Sequence, residues 1–254
     1  MVLSAAVVAV GLVGTAPLLA ATKTGTLEGT TTTQGGQLLN GMCPVLYDAG
    51  AKNELIDLAG TGTDGMAGHY IQTMVPVGKY VLFFYNCGAN TGGNPDFNYT
   101  PIFFGSTWDP AKATKVVISN GQTTTLGPQG VPLGGVVVGT VTDKTTKMPA
   151  DSVPIIMVPP GGEKFFLNFA WTYTCTNYVG VYTTATGYMQ GVPQGARAYF
   201  GATGFGCVNS QGNYDVGFFK QAKSKPIDVI VEGMVTVNGV VKENPGAARS
   251  LAPK

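Results

Sequence analysis

The chain has 254 residues, of which 11% are charged, with a net charge of +1. That length suits one or two domains, and so sparse a charge argues against a nucleic-acid partner, whose phosphates need grouped Lys and Arg. Glycine (37 residues) together with many Thr, Val and Tyr favours short strands and tight turns, so no amphipathic helix of useful length is expected.

Residues 1–21 are apolar and uncharged, with Ala20 and Ala21 just before Lys23. They read as a secretory signal peptide cut near Ala21. The run is also long enough to span a bilayer as an uncleaved anchor. Either reading places the rest of the chain outside the cytosol, secreted or at the cell surface. Four cysteines suit that compartment and allow three pairings. Cys43 and Cys87 fall in the first part of the chain, Cys175 and Cys207 in the second. No CxxC motif exists and His69 is the only histidine, so no metal site and no cofactor are expected.

A first strand is expected at Gly25–Thr30 and a second at Met42–Tyr47, where Pro44 predicts a sheet edge or a bulge. Asn53–Leu58 alternates as a short strand, and Thr61–Gly68 is a turn region. The stretch GHYIQTMVPVGKYVLFFYNC, Gly68 to Cys87, reads as a β-hairpin turning at Val75-Pro76-Val77-Gly78, with its second strand in a core. Gly88–Pro95 is a polar loop. Strands follow at Phe97–Phe104 and Lys115–Ile118, and Asn120-Gly121 is a hairpin turn into Gln122–Leu126.

Gly127–Gly135 is rich in Gly and Pro and marks a domain boundary. A clean strand, Val136–Thr142, opens a second unit that repeats the first. Pro44 matches Pro154, Pro76 matches Pro193, and Gly68-His69-Tyr70 matches Gly187-Tyr188. So long a period is a duplicated domain and not a solenoid repeat. The expected organisation is 1–21 signal peptide, 22–130 first repeat, 131–243 second repeat, and 244–254 a tail without structure.

A Gly-x-Val-x-Gly-x-Val strand, a Gly-x-Tyr turn, Pro-x-Gly and a Tyr- or Phe-rich strand together resemble the carboxypeptidase regulatory-like repeat. That family is a transthyretin-like β-sandwich, also similar to collagen-adhesin B-type repeats. The resemblance covers about 24–243. It implies an all-β chain of two tandem Ig-like or transthyretin-like sandwiches. It also implies a cysteine in the second strand and another after the Pro-x-Gly strand, which Cys43 and Cys87 match. In the second repeat Cys207 matches, but Val153 stands where Cys43 would, and Cys175 lies on an inserted stretch. Repeats of this family are usually non-catalytic stalks or binding modules, and some relatives bind starch. In the adhesin type a Lys–Asn bond can link first and last strands. Here Lys23 precedes the first strand and Asn120 sits in a turn, so no such bond is expected.

The candidate contacts are aromatic. In Lys164–Tyr178, Phe165, Leu167, Phe169, Trp171 and Tyr173 alternate as one face of a strand, which is core unless it exposes Trp171 and Tyr173. Tyr178 ends that stretch. Trp108, in the loop Gly105–Pro110, has no aromatic counterpart in the second repeat. These four residues, Trp108, Trp171, Tyr173 and Tyr178, are the candidate binding set, since flat aromatics stack on sugars or anchor protein partners. No nucleophile elbow or catalytic pair stands out, so no enzyme is expected. The reading is a non-catalytic extracellular adhesion or spacer protein with an extracellular protein ligand. The alternative is a carbohydrate-binding module for a polysaccharide.

Overall fold

Nearly all regular structure in the chain is strand, as its Thr, Val and Tyr content predicts. The computed structural model describes residues 23–51, 54–87, 99–169, 173–184, 191–202, 206–208, 213–216, 219–243 and 250–251. The expectations for 1–21, for the 88–95 loop and for Trp171 lie outside them.

Residues up to 131 form β1 (Thr24–Thr33), β2 (Met42–Asp48), β3 (Glu54–Asp57), β4 (His69–Pro76), β5 (Gly78–Asn86), β6 (Ile102–Phe103), β7 (Lys115–Ile118), β8 (Thr123–Thr125) and β9 (Gln129–Val131). β1 alternates, burying Leu27, Gly29 and Thr31 and turning Thr26, Glu28 and Thr30 outward. It pairs antiparallel with β4 and parallel with β8 and β9. The facing sheet runs β3-β2-β5-β6, with β7 also on β5. Leu27, Leu46, Tyr70, Leu82 and Phe84 fill the space between these two sheets.

The remaining residues form β10 (Val136–Asp143), β11 (Pro154–Val158), the helix α1 (Glu163–Phe169), β12 (Tyr173–Cys175), β13 (Val181–Thr183), β14 (Arg197–Phe200), β15 (Gly206–Val208), β16 (Asn213–Val216), β17 (Phe219–Lys220), β18 (Ala222–Lys223), β19 (Met234–Thr236), β20 (Gly239–Glu243) and β21 (Ser250–Leu251). The pairing scheme recurs. β10 is antiparallel to β13 and parallel to β19 and β20, while β11 lies between β12 and β14. Val137, Val141, Ile155, Met157 and Phe200 are among the core residues here. Within the tail, expected to lack structure, Ser250 and Leu251 pair with Tyr214 and Asn213.

Four expectations change. The stretch from Gly68 to Cys87 is not a hairpin: β4 joins the β1 sheet and β5 joins the β2 sheet. The Pro76-Val77-Gly78 turn therefore carries the chain across the sandwich. Asn120-Gly121 does the same between β7, on β5, and β8, on β1. Pro44 sits in an interior strand, between β3 and β5. Its carbonyl accepts from Leu58 N at 2.9 Å, just past the end of β3, so its missing N–H faces that end and costs no ladder bond. The fourth is the repeat match itself. Thr31 N donates to Gly68 O and Val141 N to Gly180 O, each at 2.8 Å, and Gly29 faces Tyr70 as Gly139 faces Tyr182. The counterpart of Gly68-His69-Tyr70 is therefore Gly180-Val181-Tyr182.

Face alternation also corrects the cysteine match. Val153 is buried in the second core, whereas Cys43 shares the opposite face with Val45 and Tyr47. A shift of one residue exchanges faces, so Pro154 is the counterpart of Cys43. Cys175 lies directly across from Pro154 on the neighbouring strand. The second disulfide thus starts one strand over from the first. Cys43 bonds Cys87 with Cα atoms 5.6 Å apart, and Cys175 bonds Cys207 at 6.0 Å.

The outer faces of the β2–β5 and β11–β14 sheets meet. Val45, Tyr47, Val81, Phe83 and Phe103 from one pack with Ile156, Val158 and Tyr199 from the other, sealed by Phe165 and Phe166 of α1. This third core joins the two halves.

Candidate functional site

The junction between the halves is built by a segment expected to be a strand. Glu163–Phe169 is an α-helix instead. It starts where Pro159-Pro160-Gly161-Gly162 ends the β11 strand. Gly162 O accepts from Phe165 N (3.0 Å) and Phe166 N (2.9 Å), and Glu163 in the first turn complements the helix dipole. Helical spacing puts Phe165 and Phe166 side by side, and both are buried. Phe165 enters an aromatic cage, its centroid 4.8 Å from Phe103, 5.1 Å from Phe83 and 5.2 Å from Tyr47, all at steep angles. Edge-to-face contacts of this kind add about 0.5–1.5 kcal/mol per pair beyond burial. The Pro-Pro-Gly-Gly-Glu run was the sequence signal for the helix start.

A groove of about 990 Å³ opens beside this cage, lined by Ala49–Ala51, Asp109–Ala111, Lys115, Gly161 and Glu163–Phe165. Its charges are mixed. Lys115 Nζ donates to Ala49 O (2.9 Å) and Pro110 O (3.3 Å), and Asp109 pairs with Lys112 at 3.7 Å. Asp109 Oδ1 also accepts from Ala111 N at 3.0 Å. These bonds fasten the groove wall. Neither histidine nor cysteine is among its lining residues.

Trp108 stands at the groove's edge in sequence but faces inward. It is half-buried, packs on both the first core and the junction core, and its Nε1 donates to Pro101 O at 3.0 Å. Tyr173 lies in β12 opposite Ile156. Tyr178 is 71% exposed at the tip of the β12–β13 connection. Trp108 and Tyr178 therefore differ in setting, one braced between cores and the other presented to solvent.

The tip carrying Tyr178 is rigidly made. Asn177 Oδ1 accepts from Val179 N (3.1 Å) and Val181 N (2.9 Å), and Asn177 N donates to Val181 O at 2.9 Å. Just before it, buried Thr176 donates from Oγ1 to Ala150 O and accepts from Val153 N. Cys175 is disulfide-bonded.

His69 is tied to Asp64 through Nδ1, and that bond is the main cause holding the Asp64 carboxyl below its usual range. Two buried tyrosines mark the first-strand glycines. Burial raises both hydroxyls. Tyr182 Oη donates to Val237 O at 2.5 Å, whereas Tyr70 Oη has no hydrogen-bond partner among the described residues. No group of three or more metal-ligating side chains occurs among the described residues.

No protein-family model and no curated protein matches the chain. Solved structures similar to it include the Bacillus anthracis TIE protein, at 11% identity and TM-score 0.31 over 87% of this chain and 34% of that one. A streptococcal ancillary pilin is similar at 13% identity and TM-score 0.32, over 89% of this chain and 64% of that one. GBS52, a minor pilin of Streptococcus agalactiae, is similar at 12% identity and TM-score 0.30, over 90% and 99%. The chain spans about a third of the first of these proteins and under two thirds of the second.

Proposed function

We propose that the chain is a non-catalytic extracellular protein with a structural or adhesive role. It is built of two β-sandwich repeats, at about 22–130 and 131–243, exported by the segment 1–21. The observation that carries this reading is the cage around Phe165. A domain pair joined by a flexible linker needs no shared core. Here three aromatic side chains of one half close on a helix of the other. Such a joint serves to hold two sandwiches at a fixed angle, as a spacer or a rigid display platform requires. Two disulfides suit an oxidising, extracellular setting. All four thiols are used in them.

The test is binding of the purified chain to an array carrying both glycans and immobilised extracellular proteins. Saturable binding to proteins supports adhesion. Binding confined to glycans overturns it in favour of a carbohydrate-binding module. For the spacer role, small-angle scattering should fit one rigid envelope, and a family of bent shapes would count against it.

A further inference from the structure

The first and last strands of each half run side by side and in the same direction. β1 is parallel to β8 over Thr26–Glu28 and to β9 over Thr31–Thr33. β10 is parallel to β19 over Val136–Val138 and to β20 over Val141–Asp143. In each half the chain therefore enters at one end of this ladder and leaves at the other. Only residues 132–135 separate β9 from β10, and they are bonded to both halves. Pro132 O accepts from Thr100 N and Gly134 O from Glu232 N, both at 2.8 Å, and Gly135 N donates to Val192 O at 2.9 Å.

Tension on the two ends of the chain acts along these ladders. Entry at Thr24 and exit past Val131 pull β1 and β9 in opposite directions along their length. Their hydrogen bonds then share the load and must fail together. Pulled sideways, the same bonds would open one after another, each under a small load. β10 and β20, entered at Val136 and left past Glu243, stand in the same relation. Bonds beyond the paired residues lengthen both ladders. Gly121 N donates to Thr24 O (2.7 Å) and Leu126 N to Glu28 O (2.9 Å), while Val136 N donates to Gly233 O (2.8 Å) and Lys144 N to Val241 O (2.7 Å).

We infer that the chain bears tension along its length through two parallel-strand clamps in series, one in each half. Asn238 belongs to the second clamp. It stands in the break between β19 and β20, where its Oδ1 accepts from Thr140 N (3.0 Å) and Thr140 Oγ1 (3.1 Å). A side chain thus supplies the carbonyl that the break interrupts. Gly127 and Pro128 stand at the corresponding break between β8 and β9, and neither side chain can accept a hydrogen bond. The disulfides lie off the load path, in the facing sheets. Once a clamp fails, each bridge keeps the loop it closes out of the stretched chain and so limits its extension. The source of the load rests on the spacer reading above. The clamp does not, because pulling measures it whether or not the chain binds a protein or a glycan.

Single-molecule pulling of the purified full chain tests it. Held by its two ends, the chain should unfold at forces several-fold higher than when held by its N-terminus and a handle at exposed Asn120. The Gly121–Thr24 bond lies beside that handle, so the β1–β8 ladder then opens from one end. On reduction the first-half step should lengthen by about 150 Å and the second by about 110 Å, from sequence separations of 44 and 32. These increments identify the halves. Asn238→Ala should lower the second-half force and leave the first-half force unchanged, since forced unfolding follows the unfolding rate under load. Asn238→Asp, which keeps the acceptor, should hold the wild-type force. Equal forces in the two pulling directions overturn the inference. So does an Asn238→Ala chain that loses thermal stability but keeps its second-half force, for that bond would then lie outside the load path.

Discussion

Phe165 and Phe103 belong to different halves of the chain, and their rings meet at 4.8 Å and 69°. Phe103 lies on the outward face of the β2–β5 sheet, and Phe165 is delivered to it by a seven-residue helix. Phe165→Ala should lower stability by about 3–5 kcal/mol, the cost of emptying a buried aromatic site. A double-mutant cycle with Phe103→Ala should give a coupling of about 0.5–1.5 kcal/mol. Denaturant unfolding followed by two probes, one in each half, should show one transition for the wild type and two for Phe165→Ala. Coincident transitions in the variant would mean that the joint is held elsewhere.

Tyr70 and Tyr182, which face the first-strand glycines Gly29 and Gly139, should respond oppositely to the same change. Tyr182→Phe strands the Val237 carbonyl and should cost about 1–3 kcal/mol. Tyr70→Phe removes a buried hydroxyl that has no partner among the described residues, and should be neutral or stabilising by about 1 kcal/mol. Thermal denaturation of the pair measures this, and equal losses would show that Tyr70 is bonded.

Each disulfide closes a loop of similar length, with sequence separations of 44 and 32. Replacing either pair by alanine should cost about 4 kcal/mol by loop-closure entropy. Because the second bridge starts from β12 and not from β11, its loss should also loosen the Asn177 tip. Hydrogen exchange at Val179 and Val181 should then rise in the Cys175→Ala/Cys207→Ala variant and stay unchanged in the Cys43→Ala/Cys87→Ala one.

The Asp64 carboxyl is held below its usual range, first by its bond to His69 and then by Met66 N. Its folded pKa is therefore lower than its unfolded one. The stability it contributes is full above the unfolded value, near 3.8, and is lost as pH falls through the folded value. The stability difference between wild type and Asp64→Asn should shrink on acidification below that range. A difference that stays constant down to strong acid would show that the bond does not favour the ionised form.

Trp108 and Tyr178 can be told apart by stability alone. Trp108→Ala removes a ring that packs on two cores and should cost about 2 kcal/mol or more. Tyr178→Ala should stay within about 0.5 kcal/mol of wild type, as an exposed side chain does. A large loss at Tyr178 would place it in the architecture and not on a contact surface.

Strand positions were legible because they depend on local chemistry. The alternation of β1, the Lys115–Ile118 run and the Val136–Thr142 run each read correctly from a few neighbouring residues. Gly180-Val181-Tyr182 and Gly187-Tyr188 both satisfy the turn pattern of Gly68-His69-Tyr70, and only the bond from Val141 N to Gly180 O selects between them.

Strand partners were decided by the tertiary structure. Nothing in Val75–Gly78 or Asn120-Gly121 says whether the next strand turns back on the last or crosses to the facing sheet, since that depends on which edge is already occupied. The same holds for Lys164–Phe169. Its aromatic spacing allows strand or helix, and the cage that rewards the helix is formed by Tyr47, Phe83 and Phe103, which lie far earlier in the chain. A local pattern sets which side chains can share a face. The choice of what that face meets belongs to contacts whose partners are distant in sequence, and for this protein those contacts make the joint between its halves.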